Sequence, residues 1–166
     1  MHPRPRALVS WSTGKDSAFA LWRVREAGAL EVVGLLTTLS PAYGRVSVHG
    51  TREALLARHG LQGVYPLWGE DTRQLAEAMV ASGLRAHLTC VDPRVLPRAF
   101  AGQQFGPGFL ERLPAGVDPC GENGEFHTCV VAGPMFARPL QVRPGEVVER
   151  EGFVYADLLL DADEAA

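Results

Sequence analysis

The chain has 166 residues, of which 46% are apolar and 21% charged, and its formal net charge is -3. This length suits one domain with a core of its own rather than two full domains, and the sequence has no run of about 18 apolar residues that would cross a membrane. The acidic balance argues against nucleic acid as the main partner, because nucleic-acid binders usually carry a basic excess. The three cysteines form no C-x-x-C pair, so a disulfide framework or structural zinc site is not expected. The expected compartment is the cytoplasm.

The first predicted elements form a βαβ unit. An apolar run at 7–11 predicts a short buried strand, and a helical stripe begins at Ser17 and stops at Gly28. The β-branched run at 30–38 predicts a second strand. Two strands joined through a helix are expected to be parallel, with a right-handed crossover.

A second strand–helix–strand alternation follows a loop at 41–50. The pattern predicts a short helix at 52–59, an extended segment at 64–68, a helix from residue 70 or 71 to Gly83, and a strand at 86–91. The buried face of the longer helix is predicted to carry Leu75, Ala76, Met79 and Val80. These alternations indicate an α/β fold.

The rest of the chain is predicted to be rich in loops and strands. Residues 92–119 contain many prolines and glycines, with one helical turn expected near 109–112. The predicted strands lie at 126–131, 137–142, 146–150 and 153–160. We expect a nucleotide-binding region at 1–92 and a β-rich substrate-binding region at 93–166, packed as one compact unit.

The loop between the first strand and helix predicts a polyphosphate site. Backbone N–H groups at a helix N-terminus converge on one point, supported by the helix dipole. Gly14 permits close approach of a ligand to the backbone, and Lys15, the only lysine in the chain, adds a full positive charge. The loop residues are Ser12, Thr13, Gly14, Lys15, Asp16 and Ser17, with Ser10 at the end of the strand.

This loop is not a Walker A motif. That motif needs glycine where Val9 stands and Ser or Thr where Asp16 stands. An acid next to phosphates would repel them unless it holds Mg²⁺ or orients the loop. The alternative interpretation is an ordinary βα turn with a solvent-exposed lysine.

A second motif concentrates polar groups at 118–128. Glu122 and Glu125 could hold a metal, bind an amine or act as general bases, and His127 could relay a proton. The alternative is a solvated hairpin turn, because Asn123-Gly124 is a strong turn dipeptide.

Both motifs resemble those of known enzymes. The first, Ser12-x-Gly14-Lys15-Asp16-Ser17, resembles the PP-loop of the ATP pyrophosphatases of the Rossmann-like adenine nucleotide alpha hydrolase superfamily, although Thr13 stands where glycine is usual. The second, running from Gly121 to Thr128 and followed by 133–136, resembles the diphthine–ammonia ligase family. Segments at 49–50, 66–69 and 90–92 are also similar to that family. Family chains are normally longer, and the shortfall lies between Gly50 and Leu61.

The resemblance implies an AMP-forming, ATP-dependent amide ligase. A substrate carboxylate would attack the α-phosphate of ATP to give an acyl-adenylate and pyrophosphate, and ammonia or another amine would then displace AMP. It implies catalytic roles for Lys15, Asp16 and Glu125, with Asp16 positioning Mg²⁺. The end of the second strand, Leu36, Thr37 and Thr38, would hold adenine. The acceptor site would be shaped by His49, Gly121, Glu122, Asn123, Gly124, Glu125, His127 and Thr128.

Several alternatives stay open at this point. Archaeal and eukaryotic members of the family act on diphthine in elongation factor 2, whereas another amidation, such as one in cobamide salvage, is the competing substrate assignment. A tRNA-modifying PP-loop enzyme is disfavoured by the acidic charge and the lack of a C-x-x-C pair. A non-catalytic nucleotide sensor would not need the acid-rich loop, and a purely structural partner would leave both motifs unexplained. A homodimer is also open.

Overall fold

The predicted βαβ unit is confirmed. The computed structural model describes residues 3–37 and 56–161. Strand β1 (Arg6–Ser10) leads into helix α1 (Lys15–Ala27), and strand β2 (Glu31–Leu36) returns parallel to β1. The helix ends at Gly28, whose left-handed backbone (φ 63°) lets its N–H bond to carbonyls of the last turn.

A second sheet is antiparallel and forms most of the remaining structure. Helix α2 (Thr72–Ala81) precedes strand β3 (Arg85–Val91), which pairs with β5 (Phe126–Ala132) along its length. Strand β4 (Gln104–Phe105) and strand β7 (Phe153–Leu160) pair with successive parts of β3. Strand β6 (Val142–Arg150) pairs with β7.

The predicted α/β class therefore holds only in its coarse form. Helices and a parallel strand pair are present, but β3 does not extend that pair. Its described neighbours all run antiparallel to it. Among residues 3–37 and 56–161, the parallel sheet has two strands, which is less than a Rossmann-like sheet.

Helix α2 matches its prediction closely. Asp71 caps its N-terminus and accepts a hydrogen bond from the Gln74 N–H at 2.9 Å. Its buried residues include Leu75, Ala76 and Met79, as the apolar spacing predicted. A further short helix, α3 (Pro107–Leu110), starts two residues before the predicted turn.

Two predicted extended segments are wrong. Residues 66–69 form turns instead of the extended segment predicted for 64–68. The strand predicted at 137–142 is also absent, because the chain bends there until β6 begins at Val142. Pro139 lies in that segment, and proline cannot donate a hydrogen bond to a sheet. Of the helix predicted at 52–59, residues 52–55 lie outside the described residues and 56–58 are helical.

Helix α1 contacts both sheets. It packs against β1 and β2 of the parallel pair and against β5 of the antiparallel sheet. Phe19 and Ala18 of α1 belong to the same buried cluster as Leu88 of β3 and Phe126 of β5. The start of α1 is thus held against the start of β5, which brings the two sequence motifs together. The proposed division at residue 92 stays a prediction.

The part of the chain that the structure describes contains no helix long and apolar enough to cross a membrane.

Candidate active site

The phosphate loop makes a tight turn between β1 and α1. Thr13 has a left-handed backbone, with φ of 64°, which is unusual for a β-branched residue. This is the position where the resemblance expects glycine, so the required backbone angle is kept although the residue differs. Gly14 caps α1 without a side chain, and the Lys15 N–H donates to the Thr128 hydroxyl at 3.1 Å.

The side chain of Lys15 is buried rather than solvent-exposed. It is 2% exposed, and its Nζ donates to both carboxylate oxygens of Asp16 at 2.8 and 2.9 Å. It also donates to the Cys120 carbonyl at 2.5 Å. The rings of Phe105 and Phe126 lie 5.8 and 5.6 Å from Nζ. An ordinary βα turn with a lysine in solvent does not fit this environment.

The serines of the loop hydrogen-bond to each other and to the backbone. The Ser12 hydroxyl lies 3.2 Å from the Ser17 hydroxyl, which donates to the Gly14 carbonyl at 3.0 Å. Ser10 is exposed at the end of β1. Together these bonds define the course of the backbone from β1 into the first turn of α1.

The end of β2, predicted to hold adenine, lies beside the phosphate loop. The Trp11 N–H donates to the Leu36 carbonyl at 2.8 Å, and the Thr37 hydroxyl donates to the Trp11 carbonyl at 3.0 Å. Leu36 is 55% exposed, so its side chain is open to a ligand. Thr38 and His49, which were assigned to the nucleotide and acceptor sites, lie outside the described residues.

Glu125 braces the second motif from inside. Its buried carboxylate accepts hydrogen bonds from the Asp118 N–H at 3.0 Å and from the Asn123 backbone and side-chain N–H groups at 2.9 and 3.0 Å. Burial alone would raise the pKa of Glu125, but these donors outweigh it and the pKa is lowered. The carboxylate is therefore held ionised within its own loop.

Asp118 has a similar bracing position. Its carboxylate accepts hydrogen bonds from the Cys120 N–H at 2.7 Å and from the Thr72 hydroxyl at 2.7 Å. Burial acts to raise the pKa of Asp118, but these and further backbone donors lower it overall. The loop is thereby tied to α2 as well as to itself.

Glu122 has the opposite environment. It is exposed at the cleft, and its pKa is raised by partial burial first and then by the negative charge of Asp16. Lys15 opposes the rise in pKa. Among the acids of the second motif, Glu122 thus has a raised pKa, whereas the pKa values of Asp118 and Glu125 are lowered.

The two motifs share one cleft of about 420 Å³. Most of the predicted phosphate-loop residues line it, as do Glu122, His127 and Thr128 from the second motif. Glu125, Asn123, Ser10, Ser17, Leu36 and Thr37 were predicted at the site but are not among its lining residues. The full lining set is Ser12, Thr13, Gly14, Lys15, Asp16, Thr89, Cys120, Gly121, Glu122, Gly124, Phe126, His127 and Thr128.

Three of the residues that line the cleft were not predicted from the sequence as site residues. The backbone carbonyl of Cys120 accepts a hydrogen bond from Lys15. Because every residue has such a carbonyl, the residue type at this position could not predict the contact. Thr89 lies near the end of β3 and its hydroxyl donates to the His127 carbonyl at 3.4 Å. Its place near the carboxyl end of a strand was the available signal. Phe126 stands inside the second motif and was quoted there only as part of the resemblance.

Comparisons with known proteins agree with the second motif. The sequence model of the diphthamide synthase C-terminal domain family matches residues 71–158. A protein named diphthine–ammonia ligase from Schizosaccharomyces pombe is 34% identical over 124 residues, covering 72% of this chain and 20% of that protein. Proteins of the same name from Bos taurus and Rattus norvegicus are 30% and 31% identical over 138 residues, covering 80% of this chain and 50% of each.

This chain therefore spans a fifth of the yeast relative and half of each mammalian one. The family match covers α2, β3 to β6 and most of β7, including the acidic loop at 118–128. With more than half of its residues matched by the family model, the chain belongs to the diphthine–ammonia ligase family.

Proposed function

We propose that this chain is an ATP-dependent amide ligase that activates a substrate carboxylate as an acyl-adenylate and then transfers it to ammonia. We take diphthine as the carboxylate and ammonia as the amine, because the relatives are named diphthine–ammonia ligase. The observation that carries the proposal is that the phosphate loop and the acidic loop line the same cleft. An adenylating ligase needs its nucleotide and its acceptor within bonding distance of each other.

The phosphate loop offers the donors that a leaving pyrophosphate requires. Asp16 and Ser17 lie in the first turn of α1, where backbone N–H groups have no partner within the helix. Gly14 has φ of -77°, which any residue adopts, and a Cβ there would meet its nearest protein atoms at 3.5 Å, an ordinary contact. Because neither backbone angle nor protein packing demands glycine, close approach of a ligand explains it best.

Lys15 supplies the positive charge on this side of the cleft. In the structure its ammonium is bonded to Asp16, so a bound phosphate would replace or share that partner. Such an exchange would stabilise charge developing on the pyrophosphate as the bond to the α-phosphate breaks.

Magnesium would enter with the nucleotide. Mg²⁺ in nucleotide sites is usually held by one or two carboxylates together with phosphate oxygens and waters. Asp16 lines the cleft beside Lys15 and fits this requirement. Across residues 3–37 and 56–161 no group of three or more His, Cys, Asp or Glu side chains could hold a metal alone. The phosphate oxygens would thus complete the coordination, and the ion would neutralise charge on the pyrophosphate.

The acceptor side is formed by the second motif. Glu122, His127 and Thr128 line the same cleft as the phosphate loop. Glu122 is suited to bind the ammonium ion and accept its proton. Glu125, first assigned a catalytic role, is buried in bonds to its own loop, so we propose that it positions Glu122.

The decisive experiment follows the nucleotide products. The protein is incubated with ATP, Mg²⁺, ammonium and elongation factor 2 carrying diphthine, and the products are separated by chromatography. We expect AMP and pyrophosphate in equal amounts, together with a gain of amide on the acceptor. Formation of ADP would exclude adenylation. Tight ATP binding without turnover on this acceptor or on other carboxylates would identify a nucleotide sensor instead.

A further inference from the structure

The phosphate loop is fastened to strand β5 at two points. The Lys15 N–H donates to the Thr128 hydroxyl at 3.1 Å, and the Val130 N–H donates to the Thr13 carbonyl at 2.9 Å. Thr128 is 8% exposed, so water competes little for its hydroxyl. The bond to Lys15 joins residues 113 positions apart in the sequence.

The hydroxyl of Thr128 accepts the first N–H of helix α1, which has no partner within the helix. Helices usually begin with a side chain that accepts a hydrogen bond from a first-turn N–H, and glycine cannot supply one. Gly14 stands at this position in α1 and makes no side-chain cap. A cap side chain would have bonded the second or third helical N–H, so the bond from the Lys15 N–H to Thr128 is a separate contact, by which β5 satisfies the first N–H of the helix.

We propose that Thr128 is a positioning residue of the nucleotide site, with its hydroxyl setting the placement of the phosphate loop. This inference rests on the proposed function and adds a role to Thr128 beyond contact with the acceptor. By holding the first residue of α1, the hydroxyl fixes where the next N–H groups, those of Asp16 and Ser17, point. It also fixes the origin of the Lys15 side chain.

The same strand connects the loop to the acceptor side. His127, adjacent to Thr128, lines the cleft, and the acidic loop leads directly into β5. A shift of β5 when the acceptor binds would therefore move the hydroxyl that holds Lys15. By linkage, nucleotide binding would alter acceptor affinity by the same factor.

The test compares two substitutions at one position. Thr128→Val keeps the branched shape and removes the hydroxyl, whereas Thr128→Ser keeps the hydroxyl and removes a methyl group. Amide hydrogen exchange of the Lys15 N–H is measured by NMR, and Mg²⁺-pyrophosphate binding by calorimetry. One hydrogen bond is worth about 1 kcal/mol net, which corresponds to about fivefold in an equilibrium. In Thr128→Val we expect the Lys15 N–H to exchange about fivefold faster and pyrophosphate to bind about fivefold more weakly. In Thr128→Ser we expect both values to stay close to those of the wild type.

Each other outcome has a distinct meaning. Unchanged exchange in Thr128→Val would overturn the inference, because the hydroxyl would not be holding the loop. Faster exchange with unchanged pyrophosphate affinity would reduce Thr128 to a structural contact and overturn its positioning role. Equal losses in both variants would also overturn it, since the serine hydroxyl should rescue. If the wild type itself fails to bind pyrophosphate, the proposed function falls, while the exchange comparison still decides whether Thr128 holds the loop.

Discussion

Replacing Lys15 with methionine should separate nucleotide binding from stability. The ammonium makes two kinds of bond in the structure, to the half-exposed carboxylate of Asp16 and to the buried carbonyl of Cys120. Loss of a charge-assisted hydrogen bond to phosphate costs about 1.5–3 kcal/mol, which corresponds to about 10- to 150-fold in affinity. We therefore expect Lys15→Met to bind Mg²⁺-pyrophosphate more weakly by that factor in calorimetry.

Lys15→Met should also lower the free energy of unfolding, but by less than is usual when one partner of a buried ion pair is removed. Asp16, with its side chain 48% exposed, can return to water, so only the Cys120 carbonyl loses a partner in the interior. An unsatisfied buried acceptor costs about 1–3 kcal/mol. Methionine between the rings of Phe105 and Phe126 would recover part of this through sulfur–aromatic contact. Urea unfolding should show a net loss of no more than about 2 kcal/mol.

The matched control for this substitution is Lys15→Arg, which keeps the charge. A planar guanidinium in a position only 2% exposed must displace its neighbours, and overpacking of this kind costs about 1–3 kcal/mol. Weak binding in both variants would show that a compact ammonium is needed. Wild-type affinity in Lys15→Met would refute the reasoning, because the ammonium would then serve only Asp16 and Cys120.

Three further predictions concern stability and reactivity. At Thr13, glycine should be more stable than alanine by about 1 kcal/mol in urea unfolding. Both substitutions remove the hydrogen bond from the Thr13 hydroxyl to the Ser12 carbonyl, but only glycine relieves the left-handed backbone of φ 64°; equal stability would contradict this strain. The lowered pKa of Glu125 stabilises the folded protein above the pKa of an unfolded glutamate, about 4.3, and this stability is lost as the pH falls through the lower pKa of the folded state. Glu125→Gln should therefore flatten the acid side of a curve of unfolding free energy against pH, and an unaltered slope would contradict this. Burial raises the pKa of Cys120 to about 12, so alkylation at neutral pH should reach this thiol only on unfolding, and mass mapping of the native protein checks this.

Local pattern predicted the individual helices well but not the sheet. Helix α2 was found from its apolar spacing and Asp71, and Gly28 ended α1 as expected. Those signals are local, because caps and amphipathic faces lie within a few residues. The partners of β3 lie far along the chain in β5 and β7, and nothing in its sequence says that it pairs antiparallel with them.

The same distinction applies to the site. The phosphate loop and the acidic loop were each predicted as binding segments from residue type and spacing, and the structure brings them to one cleft. The bonds that join them were not predictable. One ends on the Cys120 carbonyl, which every residue type possesses, and another uses the Thr128 hydroxyl to accept the first N–H of a distant helix. Contacts between backbone groups and distant side chains have no sequence signature.

Two glutamates three residues apart show how far residue type alone can lead. Gly121 and Gly124 adopt left-handed backbones, with φ of 73° and 86°, so the loop turns sharply around them. Glu125 is thereby directed inward to the donors that lower its pKa, while Glu122 faces the cleft and the charge of Asp16, which contributes to its raised pKa. One carboxylate is held ionised by donors of its own loop, and the other lies exposed at the cleft with a raised pKa. In the sequence the two glutamates look equivalent. The turn between them places their carboxylates in different environments and thereby gives them pKa shifts of opposite direction.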